Sequence, residues 1–194
     1  MSRPAMFQLT ESDQQLLLQI ARNSVRAYLC NETFNPPEIA SGILRESFGI
    51  FVSIHKHREL RGCIGNVHAN GPLYRSAAEC AIAAAVGDPR FIPLTNEDLP
   101  FVSFEISVLS PLQRIEDITE IEVGTHGVLI SKQGYRGLLL PQVATAHCWD
   151  RITFLQQACR KAGLMADDWR EGAAIHRFSA FVFGEEHPHM TAAS

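Results

Sequence analysis

Apolar residues recur at helical spacing through Leu16, Ile20, Ala21 and Leu29, with Thr10-Glu11-Ser12-Asp13 just upstream. Thr10 is placed to cap free backbone N–H groups, and the acids of the first turn meet the positive end of the helix dipole. The pattern predicts an amphipathic helix to about Cys30, with Pro36-Pro37 as a firm break after it. Residues 49–55 and 60–67 then alternate as two strands of a hairpin across a charged turn at Lys56 to Glu59, with Cys63 in mid-strand. An alanine-rich run over residues 72–86 predicts a second helix, stopped at Gly87 with Pro89 just beyond. Period two returns over residues 102–109. Val102, Phe104, Ile106 and Val108 take one face, and Ser103, Glu105 and Ser107 the other, so Glu105 stands on a polar stripe.

The second half repeats these signals in another order. Residues 128–132 and 135–140 flank Gln133-Gly134 as a second hairpin, after which Pro141 is expected to end pairing and leave Gln142 in a loop. A helix is predicted over residues 150–162, with Ile152, Leu155, Cys159 and Ala162 on one face and Gly163 at its end, which makes Cys159 a core residue. Residues 174–183 read as a returning strand and residues 187–194 as a ragged tail. Mostly antiparallel strands with helices on one side make an α+β arrangement.

Composition narrows the function classes. With 46% hydrophobic and 20% charged residues, 194 residues suffice for the core of one domain or two small lobes. A net charge of -4 argues against a nucleic-acid partner, and His55-Lys56-His57-Arg58 is more simply a solvated hairpin end. No leader pattern and no run of ~20 apolar residues is present, so a cytoplasmic protein without a membrane span is expected. The five cysteines, at 30, 63, 80, 148 and 159, include no Cys-x-x-Cys pair, and no phosphate-cradling glycine loop occurs. Neither a metal nor a cofactor is expected.

The chemistry with the clearest physical rationale lies in Leu60-Arg61-Gly62-Cys63-Ile64-Gly65. Glycines at 62 and 65 leave the backbone around the thiol lightly shielded, and strand geometry puts Arg61 and Cys63 on one face unless the register slips. A nearby cation favours the thiolate, the form that attacks electrophiles. The competing reading is a buried cysteine acting as a small hydrophobe. A thiol enzyme also needs a base. His68, His126 and His147 are available, and none carries a local signature that selects it.

The same hexapeptide resembles the hallmark of the AMMECR family. Further segments match that family's pattern in order: Asp88-Pro89-Arg90-Phe91 with Pro93-Leu94-Thr95, then Phe104-Glu105-Ile106-Ser107-Val108-Leu109-Ser110, then His126-Gly127-Val128 and Leu140-Pro141-Gln142-Val143. Trp149-Asp150, Phe154-Leu155 and Arg160-Lys161-Ala162-Gly163-Leu164 follow, so the resemblance covers nearly the whole chain and is similar to the type called AmmeMemoRadiSam system protein A. It implies a single domain over residues 6–186 between ragged residues 1–5 and 187–194. Two unequal lobes are implied, each with an antiparallel sheet and flanking helices, both termini in the larger, and the hexapeptide facing a cleft. The family's activity is not established. Its members occur beside, or fused to, a Memo-like protein and a radical S-adenosylmethionine protein, which implies a multi-component pathway.

Two readings follow from the resemblance together with the residues. In one, Cys63 is a nucleophile or redox thiol with Glu105 and His126 as catalytic partners, while Arg61, Gly62, Gly65, Arg90 and Gln142 surround a substrate whose carboxylate or phosphate the arginines grip. In the other, the cleft is a non-catalytic module for a peptide, a metabolite or a partner protein. Arg61 and Glu105 are equally suited to a structural ion pair across adjacent strands. One departure from the family pattern stands out: Ala146-His147-Cys148 replaces an acidic or polar pair followed by Gly.

Overall fold

Residues 9–39, 42–68 and 71–186 are described by a computed structural model, and they fall into two units. One is a single stretch, Leu109–Phe181; the other holds the chain before it and resumes at Val182. The ragged ends expected at residues 1–5 and 187–194 lie outside the described residues.

The first unit opens with helix α1 (Glu11–Leu29). Thr10 caps it reciprocally: its hydroxyl accepts the Asp13 N–H at 3.2 Å, and the Asp13 carboxylate accepts the Thr10 N–H at 3.0 Å. Leu17, Ile20, Ala21 and Val25 are buried, so Leu17 takes the core position that the spacing gave to Leu16, which is half-buried. Helix α2 (Leu73–Val86) packs on α1 and on the hairpin of β1 (Gly49–Lys56) and β2 (Glu59–Asn66). The turn places His57 and Arg58 in left-handed backbone, and Lys56 is tied to Asp98 at 2.6 Å, so this hairpin end is only partly solvated. Strand β3 (Val102–Leu109) spans the residues the alternation predicts, and the strand order is β2-β1-β3 with β2 outermost. The polar stripe of β3 is not a solvent face, because Ser103 and Ser107 are buried and Glu105 half-buried.

The second unit holds β4 (Gln113–Ile115), β5 (His126–Lys132), β6 (Tyr135–Leu139) and most of β7 (Ala174–Gly184), which continues into the first unit at Val182. Antiparallel pairing gives the order β4-β7-β5-β6. After β6 the chain departs from expectation: Pro141 starts a short helix, α3 (Pro141–Ala146), so Gln142 is helical and not in a loop. Proline at the first helical position loses no hydrogen bond and already holds a helical φ. Helix α4 (Arg151–Lys161), capped by Asp150 onto the Thr153 N–H, buries Phe154, Leu155, Ala158 and Cys159 against Ile121, Val128, Ile130 and Trp169. Among the described residues, no helix is long and apolar enough to cross a membrane.

Candidate functional site

Cys63 pairs with Ser53 of β1 on the outermost strand of its order. An antiparallel ladder alternates between pairs that exchange backbone bonds and pairs whose amide groups point outward, with side chains closer in the latter. The Ser53–Cys63 pair is of the second kind. The backbone N–H of Cys63 donates to Asp88 Oδ2 at 2.9 Å, its carbonyl accepts from Arg90 Nη2 at 3.2 Å, and the Ser53 hydroxyl donates to Cys63 Sγ at 3.2 Å. On the other side of the strand, a Cβ added at Gly62 would strike the carbonyl oxygen of Ala84 in α2. Gly62 therefore faces the helix, and by alternation the half-buried Cys63 thiol faces away from it.

Asp88 and Arg90 behave as one unit. Arg90 Nε donates to Asp88 Oδ1 at 2.9 Å and Nη2 to Oδ2 at 2.7 Å, a bidentate fork, while the Arg90 backbone N–H adds a 3.1 Å bond to Oδ1. Asp88 is 5% exposed. The Arg90 fork, aided by the N–H bonds from Cys63 and Arg90, holds its carboxyl well below the usual carboxylate range against the opposing effect of burial. In return Asp88, and in smaller part the Cys63 sulfur, pushes the Arg90 guanidinium further toward its charged form. The pair thus presents one acceptor and one donor to the edge of β2, as a neighbouring strand would, at the residue that carries the thiol.

The other residues singled out by sequence are not gathered around that sulfur by any hydrogen bond. Pairing shifts by one between Ile54 and His55, leaving Arg61 without a partner across the ladder, so the period of two that was to put Arg61 beside Cys63 is interrupted. Arg61 and Glu105 form no ion pair, because β1 lies between their strands. Gly65 leaves room for the backbone of Ile50 and Phe51 on β1. His126 and Gln142 belong to the second unit. His126 Nδ1 accepts the Glu122 N–H at 3.0 Å, which assigns its proton to Nε2, and burial with the Arg177 charge favours the neutral ring. Gln142 is exposed on α3. Among the described residues no cluster of three or more His, Cys, Asp or Glu is arranged to hold a metal ion.

A family model, AMMECR1, matches residues 18–183. The chain belongs to the AMMECR1 family. This AMMECR1 chain is 41% identical to a protein of Thermofilum pendens, over 94% of each sequence. It is 39% identical to Protein TK0174 of Thermococcus kodakarensis, over 94% of this chain and 95% of the other. The AMMECR1 fold matches the crystal structure of the uncharacterised protein PH0010 from Pyrococcus horikoshii with a TM-score of 0.88 at 36% identity, covering 94% and 96% of the two chains.

Asp88, which lies between the helix stop at Gly87 and Pro89, is absent from the candidate residues that the sequence suggests, although its carboxylate holds the Cys63 backbone. A signal was present. A carboxylate immediately past a helix C-terminus is opposed by the helix dipole, and an arginine two residues on is the group that compensates it.

Proposed function

We propose that Cys63 is the reactive group of this AMMECR1 domain, a nucleophile or redox thiol that acts in the cytoplasm alongside Memo-like and radical S-adenosylmethionine proteins. The observation that carries this reading is the clamp: two charged side chains are spent on the backbone of one edge-strand cysteine whose sulfur also receives a hydroxyl donor. A donor aimed at sulfur stabilises charge on it, and a fixed backbone preorganises the attack. As a nucleophile the sulfur would form a bond to an electrophilic centre while the leaving group takes the bonding pair. Glu105, half-buried and with no ion pair among the described residues, stands one strand beyond β1 from the sulfur, and we assign it as a catalytic partner that acts on the bound substrate and not on the thiol. Arg61 and the outward side of Arg90 supply positive charge for an anionic substrate group.

A second reading, a non-catalytic module for a peptide, a metabolite or a partner protein, is favoured by the state of His126. Its acceptor nitrogen is already committed to Glu122, which weakens it as a general base. A peptide added as a further strand along β2 is disfavoured at Cys63, since Asp88 and Arg90 already occupy both edge groups.

Alkylation of the folded protein by iodoacetamide at pH 7, resolved by peptide mass spectrometry, tests the reading. Cys63 is expected to react about tenfold faster than the exposed Cys148 despite being half-buried. A Cys63 rate at or below that of Cys148 removes the activated thiol. Full turnover by a Cys63→Ala variant in a reconstituted three-component system would leave only the binding module.

A further inference from the structure

The first unit contains a cavity of about 540 Å³ that none of the residues around Cys63 lines. It lies between the last turns of α1, the first turns of α2 and the segment after α1 that carries Phe34 and Pro36. Its origin is legible in side-chain size: Ser24, Ala27 and Ala78 are small where the helices meet, and the space they leave is walled by Tyr28, Phe34 and Ile82. That volume is in the range of small-molecule sites, and an apolar wall with a few polar groups is their usual chemistry.

The polar groups at the wall are not equally available. Arg75 is committed: its Nε donates to the Tyr74 hydroxyl at 3.0 Å, and its guanidinium lies 5.7 Å from the centre of that ring. Glu32 meets Arg26 only at 3.7 Å, with both side chains 54% exposed, a pairing worth little. Glu79 makes no ion pair with any described residue. Arg75 keeps its positive charge, since the Tyr74 phenol is neutral, so among the described residues the wall carries two carboxylates against one guanidinium that is turned to another ring, and the excess negative charge stands beside the half-exposed ring of Tyr28. One more group lacks a partner. The Ser24 hydroxyl, in a residue 3% exposed, is buried behind the cavity wall without a hydrogen bond.

We propose that this cavity binds a small organic cation: a protonated amine on an aromatic or aliphatic body. The ammonium is held by Glu79 and Glu32 and by the face of Tyr28, and the apolar body lies against Phe34 and Ile82. The site does not depend on Cys63, so its failure and that of the thiol reading are separate events.

Three probes that share a phenyl body and differ in head group decide the matter: phenethylamine, phenylpropionate and phenethyl alcohol, each titrated into the full chain and followed by amide chemical shifts in NMR. Phenethylamine is expected to perturb the cavity residues and to bind about fivefold tighter than either companion. The surface substitution Glu79→Gln should remove most of that preference. Ile82→Trp should weaken all three probes by filling the cavity, and should it fail to fold, the Glu79→Gln comparison stands alone. Equal or tighter binding of phenylpropionate, a preference that survives Glu79→Gln, or shifts confined to other residues would each overturn the proposal.

Discussion

A carboxylate just past the end of α2 stands against the negative pole of that helix, and Asp88 holds the position because Arg90 grips both of its oxygens. Replacing it by asparagine leaves the Arg90 charge without its partner and weakens the bond to the Cys63 N–H. Removing one member of a fully buried pair costs about 3–5 kcal/mol, and the exposure of Arg90 reduces that to about 2 kcal/mol for Asp88→Asn. The pH dependence has a definite sign. The folded-state carboxyl is depressed, so its stabilisation is complete above the unfolded value of about 4 and is lost as pH falls through the folded value. Urea midpoints of the two proteins should differ at pH 7 and converge below about pH 4; a constant difference across that range would show that the carboxylate charge is not what stabilises the clamp. At this scale the sequence exposes the thiol between its glycines and hides what holds it, since Asp88 and Cys63 meet only through the fold. Cys148 is the reverse case. Its φ of +52° is the left-handed backbone that suits glycine, which gives the departure at Ala146-His147-Cys148 a local conformational meaning before any chemical one.

Each unit brings a helix backbone against a strand by the same device, a glycine on an outer strand facing a helical turn of alanines. At Gly62 of β2 the absent Cβ leaves room for the Ala84 carbonyl of α2, and at Gly137 of β6 for the Ala158 carbonyl and Ala162 amide of the α4 terminus. Both obstacles are backbone and neither can rotate away. Gly62→Ala and Gly137→Ala should each cost about 1–3 kcal/mol, the usual range for overpacking, read as a lowered melting temperature by circular dichroism. A loss near zero at either position would mean that strand and helix separate freely there. The same glycines show why some elements were legible and others were not. β3 and α2 follow from long, regular patterns. β4 has three residues, too few to show a period, and α3 was missed because a proline after a strand signals both the end of pairing and the start of a helix.

The boundary between the units was the least legible feature in the residue pattern, because β7 is one unbroken strand that serves the second unit up to Phe181 and the first from Val182. Nothing in its alternation marks the boundary. Two buried thiols report on the units separately: Cys80 on α2 and Cys159 on α4. Burial, with a smaller push from Glu79, raises the Cys80 thiol to about 11, and burial likewise pushes Cys159 upward. Each raised value favours the folded state fully below the unfolded thiol pKa of about 8.5 and loses that advantage as pH climbs toward the folded value. Stability should therefore decline between about pH 8.5 and 11, and Cys80→Ala should flatten that decline. Below it, both thiols stay protected until their unit opens. Because β7 contributes residues to both, unfolding either unit draws out a strand the other needs, and pulse alkylation across a urea gradient at pH 7.5 should expose Cys80 and Cys159 at one midpoint. Two separated midpoints would show that the units unfold independently and that the strand they share does not couple them.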